Sequence, residues 1–278
     1  MEIIKTIDHM QQASDGIRME GESLALVPTM GYLHEGHLTL MRAAKDHCDR
    51  LVVSLFVNPT QFGPNEDFEA YPRDTQGDLK KAEDVRADIV FMPSAKEMYP
   101  QGAQTSVVVK DLPQHLCGLS RSGHFDGVTT VVAKLFHIVK PHAAVFGQKD
   151  YQQLAVISRM VMDLDMDIRI IGVPTVREAD GLAMSSRNSY LNPEERMSAL
   201  SLKKSLDLAQ RLFHEGEKNA QMVKDFVRSY ILEHPHTKID YISLCDPVTL
   251  EDVNTLADGT LMALAVRVGK TRLIDNGR

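Results

Sequence analysis

His34-Glu35-Gly36-His37 sets two imidazoles three residues apart, directly after Val27-Pro28-Thr29-Met30-Gly31-Tyr32-Leu33. Leu24–Val27 reads as a buried strand and His37–His47 as the helix that follows, so the pair falls on a strand-to-helix turn. A helix N-terminus carries positive partial charge, and glycine lets the chain approach a ligand closely. Phosphate can sit there against backbone N–H groups, which points to chemistry on a nucleotide. The zinc-protease pattern His-Glu-x-x-His is excluded, because residue 38 is Leu and the histidines are one position too close. A purely structural role for the two histidines is the alternative, and the two neighbouring glycines favour phosphate.

Three further segments follow strand-like runs. Phe56-Val57-Asn58-Pro59-Thr60-Gln61-Phe62-Gly63 places two amides where they can bind a polar organic substrate or simply satisfy loop backbone. Gly147-Gln148-Lys149-Asp150-Tyr151-Gln152-Gln153 opens a helix; Lys149 can neutralise phosphate, and Asp150 can cap the helix or bind a ribose hydroxyl. Met184-Ser185-Ser186-Arg187-Asn188 joins two hydroxyls to a guanidinium, a clamp for phosphate oxygens or an ordinary surface loop. Gly269-Lys270-Thr271 mimics the end of a phosphate-binding P-loop, but Leu264 stands where the earlier glycine belongs. No Gly-x-Gly-x-x-Gly dinucleotide fingerprint occurs.

The elements that must position these residues alternate. Strand-like runs at Leu24–Val27, Leu51–Val57, Asp88–Met92, Ala143–Phe146 and Ile168–Val173 are interleaved with helical stretches at His37–His47, Asp74–Val85, Val128–Val139 and Tyr151–Leu164. This predicts an α/β fold with a parallel sheet buried on both faces, whose ligands bind at the carboxyl ends of the strands. After about Asn192 the pattern changes. A helix over Pro193–Phe213, another over Ala220–Glu233 and strands at Ile239–Leu244, Leu261–Val268 and Thr271–Asp275 predict a small α+β domain with an antiparallel sheet. The expected domains are 1–176 and 177–278. Phe125, Val128, Val131 and Val132 suit either core or an interface.

Composition sets the class. The chain has 278 residues, 43% hydrophobic and 25% charged, as in an ordinary globular protein. A net charge of −7 argues against a broad nucleic-acid footprint. Cys48, Cys117 and Cys245 are few and scattered without metal-ligand spacing, which fits a reducing compartment. No stretch reads as a signal peptide or membrane span, so a cytoplasmic protein that binds no membrane is expected.

Together the motif segments between Pro28 and Asn188 resemble the pantothenate synthetase (pantoate–β-alanine ligase) family. The residues that carry the resemblance are Pro28 to His37, Phe56 to Phe62, Phe146 to Gln153 and Val173 to Asn188, in the family's order. The resemblance implies a Rossmann-like domain of the His-x-Gly-His nucleotidyltransferase type, with the C-terminal domain covering the active site. It implies that pantoate attacks the α-phosphorus of ATP, and that β-alanine then attacks the resulting pantoyl adenylate to give pantothenate and AMP.

By the same resemblance, Met30, Gly31, Tyr32, Leu33, His34, Glu35, Gly36 and His37 bind ATP, with His37 as catalytic proton donor. Gly147, Gln148, Lys149, Asp150, Val176, Met184, Ser185, Ser186 and Arg187 match the remaining ATP contacts. Gln61 matches a contact to pantoate and β-alanine, and Gln153 a contact to pantoate; the amide of Asn58 suits the same small hydroxy acid. His37, His34, Lys149 and Arg187 are the catalytic candidates, because they can meet the charge that develops on the phosphates. Mg²⁺ is expected with ATP. The family's metal positions lie on the helix near Asp74, where Asp78 matches one but Gly77 and Lys81 occupy the others, so no protein ligand is assigned.

A homodimer is expected from the resemblance alone. The His-x-Gly-His and Met-Ser-Ser-Arg pair also resembles the signature motifs of class I aminoacyl-tRNA synthetases, although Ala183 and Ser186 stand where those commonly carry lysines. A related nucleotidyltransferase or a catalytically silent nucleotide-binding regulator are the other readings. The first would call for a further basic residue in the second substrate pocket.

Overall fold

The computed structural model describes residues 1–64 and 66–278. Among these, six strands form one parallel sheet: β1 (Glu2–Ile4), β2 (Leu24–Thr29), β3 (Arg50–Leu55), β4 (Ile89–Phe91), β5 (Ala143–Gly147) and β6 (Arg169–Val173). The helices among them are α1 (Ile7–Met19), α2 (Glu35–Lys45), α3 (Thr75–Asp84), α4 (Ala95–Met98), α5 (His124–Val139) and α6 (Tyr151–Asp163). The spatial order is β1-β4-β3-β2-β5-β6. From β2 the chain moves outward through β3 and β4, then returns to place β5 on the other side of β2. The order therefore reverses between β2 and β5, the point where parallel sheets leave a ligand crevice at their carboxyl ends.

Pro28 lies past the point where β2 and β5 part. The β2–β3 ladder runs from Leu24↔Arg50 through Thr29↔Leu55, whereas β2 pairs with β5 only at Ala25↔Ala143 and Leu26↔Ala144. Proline has no N–H for a ladder, and the pairing with β5 stops before it.

The strands are apolar on both faces, and their two-residue period divides the core into two layers. Leu24, Leu26, Val52, Phe91, Ala144 and Phe146 pack with Met10 of α1, Phe136 of α5 and Ile157 of α6. Ala25, Val27, Leu51, Val53, Val90 and Val145 pack with Met41 and Ala44 of α2 and Ala82 of α3. Phe125, Val128, Val131 and Val132 are all buried within the chain. The expected α/β architecture is present. β1 and α1 escape the sequence reading: β1 is three residues with one buried position, and α1 fully buries only Met10 and Ser14. Neither offers a strong period.

Contact density divides the chain into two compact units. One comprises Met1–Lys110, Arg121–Gln148 and Gln153–Pro174; the other comprises Asp111–Ser120, Lys149–Gln152 and Thr175–Arg278. The second contains α7 (Pro193–Ala199), α8 (Ser201–His214), α9 (Ala220–Leu232), β7 (Thr237–Cys245), β8 (Leu261–Val268) and β9 (Thr271–Gly277). Its strands form an antiparallel sheet in the order β7-β8-β9. Val268 pairs with Thr271 across Gly269-Lys270, and Gly269 has φ +58°, the first central position of a type II′ turn. Leu202, Leu206, Val223, Val227 and Ile231 of α8 and α9 bury their stripes with Leu264 and Val266 of β8.

The single helix expected over Pro193–Phe213 is instead two. Asn192 and Glu195 close a capping box on α7, and α8 restarts after Leu200, whose backbone stays right-handed at φ −63° and ψ −18°. The apolar period runs unbroken across that joint, so it could not mark the interruption. Core truncation tests the two-layer assignment. Leu26→Ala, at a fully buried position, is expected to cost about 2–5 kcal/mol by urea unfolding. Met19→Ala, at 87% exposure, should stay within about 0.5 kcal/mol of the parent.

Candidate active site

The turn from β2 into α2 is built from unusual backbone. Gly31 has φ +85° and Tyr32 φ +51°, and a left-handed non-glycine residue costs about 1–2 kcal/mol. The offset is Asp78 on α3, buried to 3% exposure. Its Oδ2 accepts the N–H of Tyr32 at 2.8 Å and its Oδ1 the N–H of Leu33 at 2.6 Å. A Cβ on Gly31 would lie 2.9 Å from the same carboxylate, so glycine is what lets the turn close onto it. Lys81, one helical turn further on, donates to the Leu33 carbonyl at 2.7 Å. Thr29 Oγ1 donates to the Ser54 carbonyl at 2.9 Å and accepts from Gly31 N–H at 3.2 Å.

This clamp delivers His34 as the N-cap of α2, with Glu35, Gly36 and His37 in its first turn. The rings of His34 and His37 stack with centroids 4.0 Å apart. The His34 N–H donates to His37 Nδ1 at 3.3 Å. Nδ1 is therefore the acceptor nitrogen, and the neutral ring carries its proton on Nε2. Glu35 is turned aside into an ion pair with Arg42.

After β3 a 3-10 turn, Pro59–Gln61, carries the first pair of amides. Asn58 is 1% exposed and fully committed. Its Nδ2 donates to Gln61 Oε1 at 3.2 Å and to the Gly127 carbonyl at 3.0 Å, and its Oδ1 accepts from Thr60 Oγ1 at 2.9 Å and Tyr99 OH at 2.8 Å. Gln61 differs: its Nε2 rests 3.0 Å from Met30 Sδ, a weak acceptor. The structure thus joins Gln61 to Met30, and Asn58 to Gln61. α5 presses on this turn so closely that a Cβ on Gly127 would lie 2.4 Å from the Thr60 carbonyl oxygen.

Around the same turn, Arg121 donates to both oxygens of Glu66 at 2.6 and 2.7 Å. Burial pushes the Glu66 carboxyl up, but these hydrogen bonds outweigh it and hold it below the usual glutamate range. Gly147 ends β5 beside the order reversal, and Gln148 follows it. Gln153 lies on α6, half-buried.

The other candidates belong to the second unit. Lys149 is 19% exposed at its side chain, with Nζ 3.9 Å from the exposed Asp150 carboxylate. Its carbonyl accepts from Asn276 Nδ2 at 2.8 Å. Gln152 is structural: it accepts the Cys117 N–H at 2.9 Å and donates to the carbonyls of Leu112 and His115.

Val176 and Met184 meet through the backbone, Met184 N–H donating to the Val176 carbonyl at 2.9 Å. Ser185 then caps the 3-10 turn Ser186–Tyr190 that carries Ser186 and Arg187. The strip is braced from behind. Arg177 forms a forked pair with buried Asp275 at 2.7 and 2.9 Å. Arg196 bridges Glu178 and Asp180, and Asn188 donates to Glu178 and to the Ala183 carbonyl. Burial raises both carboxyls, but the hydrogen bonds from Arg196 and, at Glu178, from Asn188 prevail and hold both below their ordinary range.

Comparison with known proteins decides the family. The model of the pantoate-β-alanine ligase family matches residues 2–278. The chain belongs to that family. It is 57% identical over 276 residues to the pantothenate synthetase of Desulfatibacillum aliphaticivorans, covering 99% of this chain and 98% of that one. It is 56% identical to the enzyme of Geobacter sulfurreducens, with the same coverage. Among solved structures, the pantothenate synthetase of Thermus thermophilus superposes with a TM-score of 0.94 at 41% identity, over 100% of this chain and 99% of that one. The Francisella tularensis pantoate-β-alanine ligase, complexed with β-γ ATP and β-alanine, gives 0.81 at 33% identity, over 100% and 97%. The chain is therefore a ligase of the pantoate-β-alanine ligase family, and no described helix is long and apolar enough to cross a membrane.

Three residues of this ligase's turns went unread in the sequence: Arg121, His124 and Gly127. Asp78 was read only as a metal position. Each acts on a segment distant in sequence, and no local pattern announces it.

The clamps can be tested separately. Asp78→Ala leaves the buried N–H of Leu33 unpaired and should lower stability by about 2–4 kcal/mol in chemical unfolding. The depressed Glu178 and Asp180 contribute stability that is present above the ordinary carboxylate range of about 4 and is lost as pH falls through their folded values. Between about pH 6 and about pH 3, the thermal midpoint of Arg196→Met should therefore fall less than that of the parent.

Proposed function

We propose that this ligase condenses (R)-pantoate with β-alanine, using ATP and passing through pantoyl adenylate, in the biosynthesis of pantothenate and coenzyme A. A pantoate carboxylate oxygen attacks the α-phosphorus, the new O–P bond forms, and pyrophosphate leaves. The β-alanine amine then attacks the acyl carbon, and AMP leaves as the amide forms. The names of the relatives support this reading, as does the β-γ ATP and β-alanine complex of the Francisella enzyme.

The observation that carries it is Gln61 against Met30. The Gln61 oxygen is taken by Asn58, while its Nε2 has only a thioether partner among the described residues. A substrate oxygen can displace that weak acceptor at little cost, and the contact lies on the turn that leads to His34 and His37. Gln61 is thus assigned to pantoate and β-alanine, Gln153 to pantoate, and Asn58 to holding Gln61 in place. The segments Met30–His37, Gly147–Asp150, Val176 and Met184–Arg187 are assigned to ATP. In the tautomer set by the His34 N–H, His37 offers Nε2–H to the phosphate oxygens as charge builds on them. His34, Lys149 and Arg187 add donors or positive charge.

Mg²⁺ would come with ATP and supply positive charge to the phosphates, and no side chain of this chain is assigned to hold it. The helix positions that the resemblance marks for metal do not fit one: both oxygens of Asp78 hold backbone N–H groups, and Lys81 is a cation bound to the Leu33 carbonyl. Among the described residues, no cluster of three or more His, Cys, Asp or Glu side chains is placed to hold a metal ion. The same reading makes the enzyme a cytoplasmic homodimer acting on small molecules only.

Pyrophosphate release from MgATP and pantoate tests the chemistry. A burst of about one equivalent per site without β-alanine, turning to steady formation of pantothenate and AMP when it is added, is the expected result. Folded, ATP-binding protein that releases none under either condition would refute the reading. His37→Ala should retain the fold and lose about 10²–10³ in kcat; a rate near the parent's removes His37 from catalysis.

A further inference from the structure

We propose that His124 is a positioning residue for substrate binding, fixing Gln61 through its main-chain carbonyl in a tautomer selected by Arg121. The proposal rests on the assignment of Gln61 to pantoate given above.

The hydrogen-bond directions leave one arrangement. His124 Nδ1 lies 2.7 Å from the Gln61 carbonyl oxygen. A carbonyl only accepts, so Nδ1 carries a proton. Arg121 Nη1 lies 2.8 Å from His124 Nε2. A guanidinium only donates, so Nε2 is the bare acceptor. The ring is therefore neutral, with its proton on Nδ1. Arg121 is itself held by its forked bond to Glu66, and the Phe125 ring packs edge-on against the imidazole at 4.9 Å.

Gln61 is consequently gripped at both ends. Asn58 holds its side-chain oxygen at 3.2 Å and His124 holds its main-chain oxygen, which aims the remaining Nε2 at Met30 Sδ. Two glycines bring the imidazole there. Gly123 caps α5 with φ +75°, and Gly127 removes the Cβ that would strike Thr60. His124 needs no substrate contact for this role, because it acts through the peptide group of Gln61.

Steady-state kinetics of the full chain, with pantoate, β-alanine and MgATP each varied, tests the role. The amide nitrogen of His124→Asn falls near the place of Nδ1 and can still donate to Gln61; His124→Ala cannot. His124→Ala should raise KM for pantoate about tenfold while KM for ATP stays within about twofold, the scale of one lost neutral hydrogen bond. His124→Asn should recover most of that loss. In a Gln61→Ala background, His124→Ala should add less than about twofold, because both changes remove one contact.

Equal KM values for His124→Ala, His124→Asn and the parent would overturn the proposal, as would a parallel rise in KM for ATP and pantoate. If Gln61→Ala alone leaves KM for pantoate unchanged, the substrate assignment of Gln61 fails and takes His124 with it. If Gln61→Ala is impaired and His124→Ala is not, His124 alone is refuted. Should His124→Ala not fold, nitrogen NMR of the parent decides: a proton on Nδ1 supports the role, and a proton on Nε2 alone excludes it.

Discussion

The two hydrogen bonds from Tyr32 and Leu33 to Asp78 are the constraint on which the turn from β2 into α2 depends. Without them, a bulky residue at φ +51° has no reason to stay there. With them, the chain leaves β2, reverses hand over two residues and arrives at α2 with an imidazole as N-cap. The acceptor is a buried carboxylate on a different helix, so the turn's shape is set by tertiary contact and not by its own sequence. Lys81, from the same helix as Asp78, meets the next carbonyl. α3 thus reads the backbone of the turn on both its donor and its acceptor side.

Several polar side chains in the candidate motifs hold other protein groups. Asn58 spends its whole amide on Gln61, Thr60, Tyr99 and Gly127. Gln152 spends its amide on three backbone groups. A buried amide that gives all its bonds to protein stiffens its surroundings, because any alternative geometry would leave a polar group unpaired. Gln61 keeps one donor against sulfur, and His37 has its Nδ1 occupied so that Nε2 is the donor. Composition alone does not separate the two kinds of residue, since Asn58 and Gln61 are equally polar and three positions apart.

That distinction explains what was legible in the sequence. The strands from β2 to β6 were readable because a strand buried on both faces is a continuous apolar run, and the longer helices between them carry a clear period, whereas the four residues of α4 are too few to show one. The motif segments at the strand ends stood out because they gather glycine, histidine and cations near helix starts. β1 and α1 gave little signal because each buries few side chains. The joint at Leu200 was hidden by a period that continues through it. Asp78, Arg121 and His124 were hidden for a different reason: each serves a backbone group 45, 60 or 63 residues away. No window on the sequence spans such a pair.

Arginine side chains supply the corresponding order around the Gln61 turn and in the strip that leads to Arg187. Arg121 on Glu66, Arg177 on Asp275 and Arg196 on Glu178 and Asp180 each tie a loop to a neighbour. A planar fork fixes orientation as well as distance, which a lysine cannot do. Asp275 is fully buried at its side chain, so its negative charge is tolerable only while Arg177 faces it; removing one member of such a pair costs more than the intact pair contributes. Arg187 lies just past the strip that Arg177 and Arg196 brace, and Asn276, next to Asp275, holds the Lys149 carbonyl.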